Sequence, residues 1–483
     1  SGVRGRKEHM AIDIDPKTGL KRFATRAAAS GVAIKGKGYS TNIDASLKTL
    51  PPAPQGAVFD AEEQSKYREF KEARRGAADY MRMEGEFSHY LQDHYTAGPV
   101  PRESLSDECE ILVVGAGFAG LLLWYKLQAA GFVDVRFCEK GGDVGGTWYW
   151  DRYPGCRFDS ESYSYAYSFS KDLLEEWDWT EHFSPQPETL KYLQYVAKKF
   201  DLKKDIQFNA KVKAANYDPK KTRWVVRTEE GETFESTFLI TAIGALSSPY
   251  VPEFNGKDSF RGKSWHTSQW PKEPVDLSAK RVGVIGTGAT AVQMITEISK
   301  DVGELYVFQL KPEYCVPLGN RKIDTDTQKD IKKRYPEIFK KCKNSFGSFL
   351  HDFDERSALD VPPEERRRFY EELWGQPGFG LWLGNFHDIL TNQEANDTVS
   401  EFVRKKIKEQ VDDPVVAEKL CPKDHGFGTR RVPLESGYYK AYNRPNVHLI
   451  DITENPIENI TPSGIQPKES NIDLDLIIYA TGF

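Results

Sequence analysis

Apolar residues gather in short unbroken runs separated by glycine turns and amphipathic stretches, and this alternation organises the chain from about Cys109 onward. The run Ile111–Val114 leads through a glycine turn and a helical stretch to a second run at Val135–Cys138. The same order recurs at Arg281–Ile285 and Leu305–Phe308. Short runs of this kind fit strands buried on both faces, and their alternation with helices predicts parallel sheets in an α/β fold. Later short strands are expected at Val447–Ile450 and Leu474–Tyr479.

Between about Gly319 and Gly426 the pattern turns helical and charged, as in Lys329–Lys343, Pro363–Trp374 and Asp397–Gln410. This reads as a helical insertion in the second domain. Residues 1–60 lack periodicity and read as an extended arm, whereas Tyr67, Phe70, Ala73, Ala77 and Tyr80 recur near helical spacing and predict one or two amphipathic helices up to Tyr95. The expected division is an N-terminal extension (1–104), the first part of one domain (105–244), a second domain (245–481) with its insertion at about 319–426, and the start of a return to the first domain at 482–483.

At 483 residues the chain exceeds one ordinary core. A formal net charge of −6 gives no general attraction to nucleic acid or an anionic membrane, so neither is expected as a partner. Its six cysteines are scattered, without a CxxC pair or a histidine at zinc spacing. That pattern predicts reduced thiols, no bound metal and a cytoplasmic location. No apolar run reaches the ~18–20 residues a membrane helix needs. A monomer is expected.

The chemistry is concentrated in two glycine turns. Gly115-Ala116-Gly117-Phe118-Ala119-Gly120 fits GxGxxG between a strand and a helix, where the backbone can approach a pyrophosphate seated on the helix N-terminus. Glu139, 24 residues after Gly115, stands where a carboxylate accepts from ribose hydroxyls and repels a 2′-phosphate, so this turn suits FAD or NAD. The second glycine stretch, Gly141 to Trp150 with Gly146, Thr147, Trp148 and Trp150, resembles the flavin-contacting loop of two-dinucleotide-domain flavoproteins and selects FAD. Gly286-Thr287-Gly288-Ala289-Thr290-Ala291 is GxGxxA, and the next strand ends in Gln309-Leu310-Lys311, a cation in place of the acid. Lys311 can pair with a 2′-phosphate, which favours NADPH. The two turns begin 171 residues apart, and together they predict electron flow from nicotinamide to flavin. The apolar segments Ile240–Gly244 and Ile478–Gly482 read as crossovers between the domains.

Phe260-Arg261-Gly262-Lys263-Ser264-Trp265-His266-Thr267-Ser268-Gln269-Trp270-Pro271 resembles the FxGxxxHxxxW(P/D) motif of type I Baeyer–Villiger monooxygenases, at Phe260, Gly262, His266, Trp270 and Pro271. The resemblance runs from about Cys109 to Phe483, and the N-terminal extension is similar to that of members acting on bulky or cyclic ketones. It implies two Rossmann-like domains and oxygen insertion beside a ketone carbonyl through a peroxide on reduced FAD, with NADPH as reductant and O2 as co-substrate. The stretch Tyr153–Asp159 is similar to the family's RYPGxRxD, placing Asp159 on an active-site aspartate. Phe427–Arg431 is similar to FGTKR, placing Arg431 on the catalytic arginine and Arg430 on a lysine that holds the NADP phosphate. The resemblance also carries FAD contacts to Asp159 and Tyr165, and NADP contacts to Arg157, Gly286, Thr287, Gly288, Ala289, Thr290 and Gln293. His266 is implied to couple domain movement to catalysis rather than to transfer protons. Relatives continue well beyond the second crossover, so a fragment of a longer chain is expected. The rivals are an N- or S-oxidising flavin monooxygenase, whose members usually carry Tyr or Phe where Trp270 stands, and a non-catalytic redox sensor. A disulfide reductase is disfavoured because CxxC is missing.

Overall fold

A computed structural model describes residues 108–483, together with Asp93, Tyr95, Thr96 and two paired three-residue strands, Ile12–Ile14 and Lys21–Phe23. The expected helices at 61–95 lie almost wholly outside the described residues.

The chain forms two compact units, one including Tyr95–Tyr149 and Leu193–Gly244, the other Trp150–Tyr192 and Ala245–Phe483. A sequence division at residue 244 puts 150–192 in the first domain; by contacts this stretch clusters with the second unit.

In the first unit, β1 (Glu108–Val114), α1 (Phe118–Ala129) and β2 (Val135–Cys138) form the strand-turn-helix-strand expected from the apolar runs. They are followed by β3 (Ile206–Gln207), β4 (Val212–Asp218), β5 (Arg223–Thr228) and β6 (Thr233–Thr241). The six-stranded sheet has the order β3-β2-β1-β6-β5-β4. β3, β2, β1 and β6 are parallel, whereas β6, β5 and β4 form an antiparallel meander. The parallel strands are those expected from the alternation of strands and helices; the antiparallel meander is added to them, its outer strands keeping polar, exposed positions that need no cover on one face.

In the second unit, β7 (Lys263–His266) is followed by β8 (Arg281–Ile285), α2 (Ala289–Ile298) and β9 (Glu304–Gln309). Three long helices then make up the insertion: α3 (Thr325–Asn344), α4 (Pro363–Gly375) and α5 (Gln393–Lys408). α5 shows why they form: Asn392 caps it by accepting from Ala395 N, Ala395, Val399, Phe402, Val403 and Ile407 bury one stripe, and Lys405, Lys406 and Lys408 stand at the negative end of its dipole. The chain continues through β10 (Val447–Asp451), a meander of β11 (Ile457–Thr461), β12 (Gly464–Pro467) and β13 (Ile472–Asp473), and β14 (Leu476–Tyr479). The five-stranded sheet, order β10-β9-β8-β14-β7, is parallel throughout. Phe260, Ile285, Phe308, Ile465, Ile477 and Tyr479 share the core between this sheet and the small meander. Among the described residues no helix is long and apolar enough to cross a membrane.

Candidate functional site

The first glycine turn joins β1 to α1. Gly115 has φ +106°, and a Cβ there would lie 2.5 Å from Ala242 O. A Cβ on Gly117 would come within 3.2 Å of Gly146 Cα, so the two glycine stretches of the sequence pass backbone against backbone. Gly120 lets α1 pack on the turn, since a Cβ would strike Gly115 O. Gly117 caps α1 without a side-chain acceptor, and the first turn carries no acid, which leaves its N–H groups directed at an incoming anion. Glu139 is buried and accepts from Ala116 N at 2.7 Å and Gly141 N at 2.8 Å. Its carboxylate is thereby fixed at the end of β2, in the position where a dinucleotide's ribose hydroxyls can donate to it. Thr147 opens a one-turn helix in which Trp148 is buried. These residues fit the adenine-ribose and pyrophosphate end of FAD. Trp150 and Tyr165 cluster with the second unit instead, where Tyr165 stacks on Phe158 at 4.6 Å.

The second turn repeats the first. Gly286 has φ +109°, with a Cβ position 2.5 Å from Ala480 O, and Gly288 caps α2 with open space where its Cβ would be. Ala291 is fully buried beneath the turn. Ala289 and Thr290 begin α2, and Thr287 Oγ1 donates to Lys311 O at 2.7 Å, tying the turn to the end of the next strand. Lys311 Nζ then meets Asp424 Oδ2 at 2.5 Å, and Arg430 Nη2 lies 3.5 Å from the same oxygen. The two cations named from sequence are thus brought together around one acid. This open, cation-flanked turn fits a phosphorylated nicotinamide dinucleotide.

Asp159 and Arg431 also meet. Asp159 Oδ2 accepts from Arg431 Nη2 at 2.6 Å, with the carboxylate buried and 57% of the arginine side chain exposed. Burial pushes the Asp159 pKa up, opposed by the positive charge of Arg431 and the Gln293 hydrogen bond. Gln293 on α2 organises this end: Nε2 donates to Asp159 Oδ1 at 3.1 Å and Arg157 O at 3.0 Å, and Oε1 accepts from Tyr153 Oη at 2.8 Å. Gly155, φ +81°, permits the approach, since a Cβ would lie 2.7 Å from Gln293 O. The Gln293 amide, expected from sequence to face NADP, is therefore engaged by the chain itself. Arg157, also expected at NADP, directs its guanidinium to Glu181 at 3.0 Å and Phe183 O at 3.1 Å.

The loop bearing Arg430 and Arg431 is pinned by α5. Asn396 Nδ2 donates to Phe427 O at 2.8 Å and Ile389 O at 2.7 Å, and Ser400 Oγ accepts from Phe427 N at 2.9 Å. Gly428 has φ +75° and a Cβ position 2.7 Å from the Trp382 ring. Asn396, Ser400 and Asp424 were not found from sequence; for Asn396 and Ser400 a hint lay in their being polar residues on the buried stripe of α5, and for Asp424, outside that helix, there was none.

The joining segment is not a free linker. Lys263–His266 is the edge strand β7, with His266 paired in register to Tyr479. His266 is wholly buried; Ser268 N donates to its Nδ1 at 3.2 Å, which leaves Nε2–H to donate to Gly482 O at 3.1 Å. Burial lowers its pKa to about 4. Gly262 allows β7 to close on Asp475 O, 2.6 Å from a Cβ position, while Phe260 and Trp270 are buried and Trp270 packs edge-on to Trp265 at 5.5 Å. Pro271 follows Trp270 where the strand has ended.

A family profile for pyridine nucleotide-disulphide oxidoreductases matches residues 112–357. All six cysteines are nonetheless free and buried. The chain is 47% identical over 384 residues to a 2-oxo-Δ3-4,5,5-trimethylcyclopentenylacetyl-CoA monooxygenase of Pseudomonas putida, covering 78% of this chain and 70% of that protein. It is 43% identical to a Baeyer–Villiger monooxygenase of Pseudooceanicola batsensis (79% and 70% covered), and 40% identical to a phenazine N-monooxygenase of Lysobacter antibioticus (77% and 69%). A crystal structure of OTEMO in complex with FAD and NADP superposes with a TM-score of 0.76 at 47% identity, over 78% of this chain and 71% of the other.

Proposed function

The chain belongs to the Baeyer–Villiger monooxygenases, and on that premise we propose that it converts a cyclic or bulky ketone, O2, NADPH and a proton into a lactone or ester, NADP⁺ and water. FAD reduced by NADPH supplies the activated oxygen. Gly115, Gly117, Gly120, Glu139, Gly146, Thr147 and Trp148 hold the flavin nucleotide; Gly286, Thr287, Gly288, Lys311 and Arg430 hold NADPH.

The observation that carries the reading is the Asp159–Arg431 pair. Insertion places negative charge on the ketone oxygen as its carbon becomes tetrahedral, and a fixed cation stabilises that charge. Arg431 is always charged and presents a planar fork of donors. One of its nitrogens is held by buried Asp159, and its largely exposed remainder is free to meet the ketone oxygen. Asp159, itself fixed by Gln293, acts as a positioning residue. We place the enzyme in the cytoplasm as a monomer, a setting that suits six free thiols.

Nitrogen oxidation is the second reading, favoured by the phenazine N-monooxygenase relative. The deciding experiment supplies NADPH with a panel of cyclic and polycyclic ketones, and separately with an N-heterocycle, and identifies products by mass spectrometry. Lactones one oxygen heavier than the ketones support the proposal. N-oxides without any lactone would overturn it.

A further inference from the structure

The two cations assigned to the 2′-phosphate already share an anion of this chain. Asp424 Oδ2 lies 2.5 Å from Lys311 Nζ and 3.5 Å from Arg430 Nη2, and Oδ1 lies 2.8 Å from His425 Nδ1. Glu313 closes the group, with Oε1 3.7 Å from Arg430 Nη1 and Oε2 3.5 Å from His425 Nε2. Lys311 and Arg430 are thus balanced in charge by two acids of the chain itself, Asp424 and Glu313. A phosphate approaching them meets a neutralised cluster unless one carboxylate withdraws.

Asp424 is the acid placed to withdraw. Both acids touch His425, but of the two phosphate cations Asp424 meets Lys311 and Arg430 whereas Glu313 meets Arg430; the Asp424 side chain is 35% exposed against 20% for Glu313. It also borders a hollow of about 620 Å³ lined in part by Leu310, Pro312, Lys419 and Lys423 into which it can turn. Thr287 holds the Lys311 carbonyl against the dinucleotide turn, so the backbone that carries this cation stays beside the site.

We propose that Asp424 is a built-in competitor for the 2′-phosphate: it occupies the space between Lys311 and Arg430 and must leave when NADPH binds. A cofactor without that phosphate leaves the contact intact, so Asp424 weakens NADPH and not NADH and sets the margin between them. The inference rests on the assignment of Lys311 and Arg430 to the 2′-phosphate.

The test is calorimetric titration of the FAD-loaded protein with NADP⁺ and with NAD⁺, which needs no turnover. Loss of one half-exposed ion-pair charge predicts that Asp424→Asn tightens NADP⁺ about fivefold and leaves NAD⁺ unchanged. Asp424→Glu, which keeps the charge, stays near the unsubstituted protein. An Asp424→Asn variant that binds NADP⁺ more weakly, or that shifts both nucleotides equally, overturns the proposal and makes Asp424 a scaffold for the cations. Lys311→Ala separates the two assumptions: it should abolish most of the preference for NADP⁺. An unchanged preference there would remove Lys311 from the phosphate site whatever Asp424 does, and the competitor role with it.

Discussion

Asp159 and Arg431, 272 residues apart in the chain, meet through a 2.6 Å hydrogen bond that joins a buried carboxylate to a largely exposed guanidinium. The buried partner is fixed and the exposed partner is available, an asymmetry that suits an anchor and a reactive cation. Arg431→Ala should lower lactone formation by about 10²–10³-fold, the effect of removing one donor from a developing oxyanion. NADPH oxidation should persist with release of hydrogen peroxide. The ratio of lactone to peroxide measures this, and a normal lactone yield would remove Arg431 from the chemistry.

Gln293 links α2 to Asp159, so Gln293→Ala should reduce kcat by about tenfold, the effect of one buried hydrogen bond to a charged group, while the KM for NADPH changes little. A nucleotide contact would show the reverse. Because burial raises the Asp159 pKa, the acidic limb of the kcat profile should also move when its Gln293 donor is lost, toward higher pH.

His266 provides a pH-dependent contribution to stability. Its folded pKa is about 4 against an ordinary 6.5, so between these values the unfolded chain takes up a proton that the folded chain refuses. Stability therefore falls as pH drops from about 6.5 toward 4, by up to about 3 kcal/mol from this residue. Denaturant midpoints across that window should fall less steeply for His266→Gln. Parallel slopes for the two proteins would count against the buried neutral imidazole.

Asn396→Leu leaves two buried carbonyls, Ile389 O and Phe427 O, without their donor. The cost should be about 2–3 kcal/mol in unfolding free energy. Lactone yield per NADPH should also fall, since the loop that carries Arg431 loses its attachment to α5. Unchanged coupling in a destabilised variant would show that Arg431 is held from elsewhere.

The two nucleotide units were legible in the sequence because each rests on local rules: an apolar run, a glycine turn and an acid or cation one strand later. Val135–Cys138 and Arg281–Ile285 begin and end where the apolar pattern does. The meanders at 212–241 and 457–473 were not legible, since half-exposed strands with polar neighbours look like loops. The supporting shell was hidden for another reason. Gln293 and Asp159 stand 134 residues apart, and Lys311 and Asp424 stand 113 apart, so only folding reveals that they face each other. His266 was expected to couple domain movement to catalysis, and its strand pairing with Tyr479, 213 residues on, places it at a sheet edge that the sequence did not reveal.

The near-identical turns at Gly115 and Gly286 give this protein an internal control. Each has a Cβ position 2.5 Å from the carbonyl oxygen of the alanine that follows the neighbouring parallel strand, Ala242 after β6 in one case and Ala480 after β14 in the other. The same alanine replacement therefore imposes the same local strain twice in a single polypeptide. Any difference between the two variants, in flavin retained or in nicotinamide affinity, reports the ligand each turn serves rather than the steric insult itself.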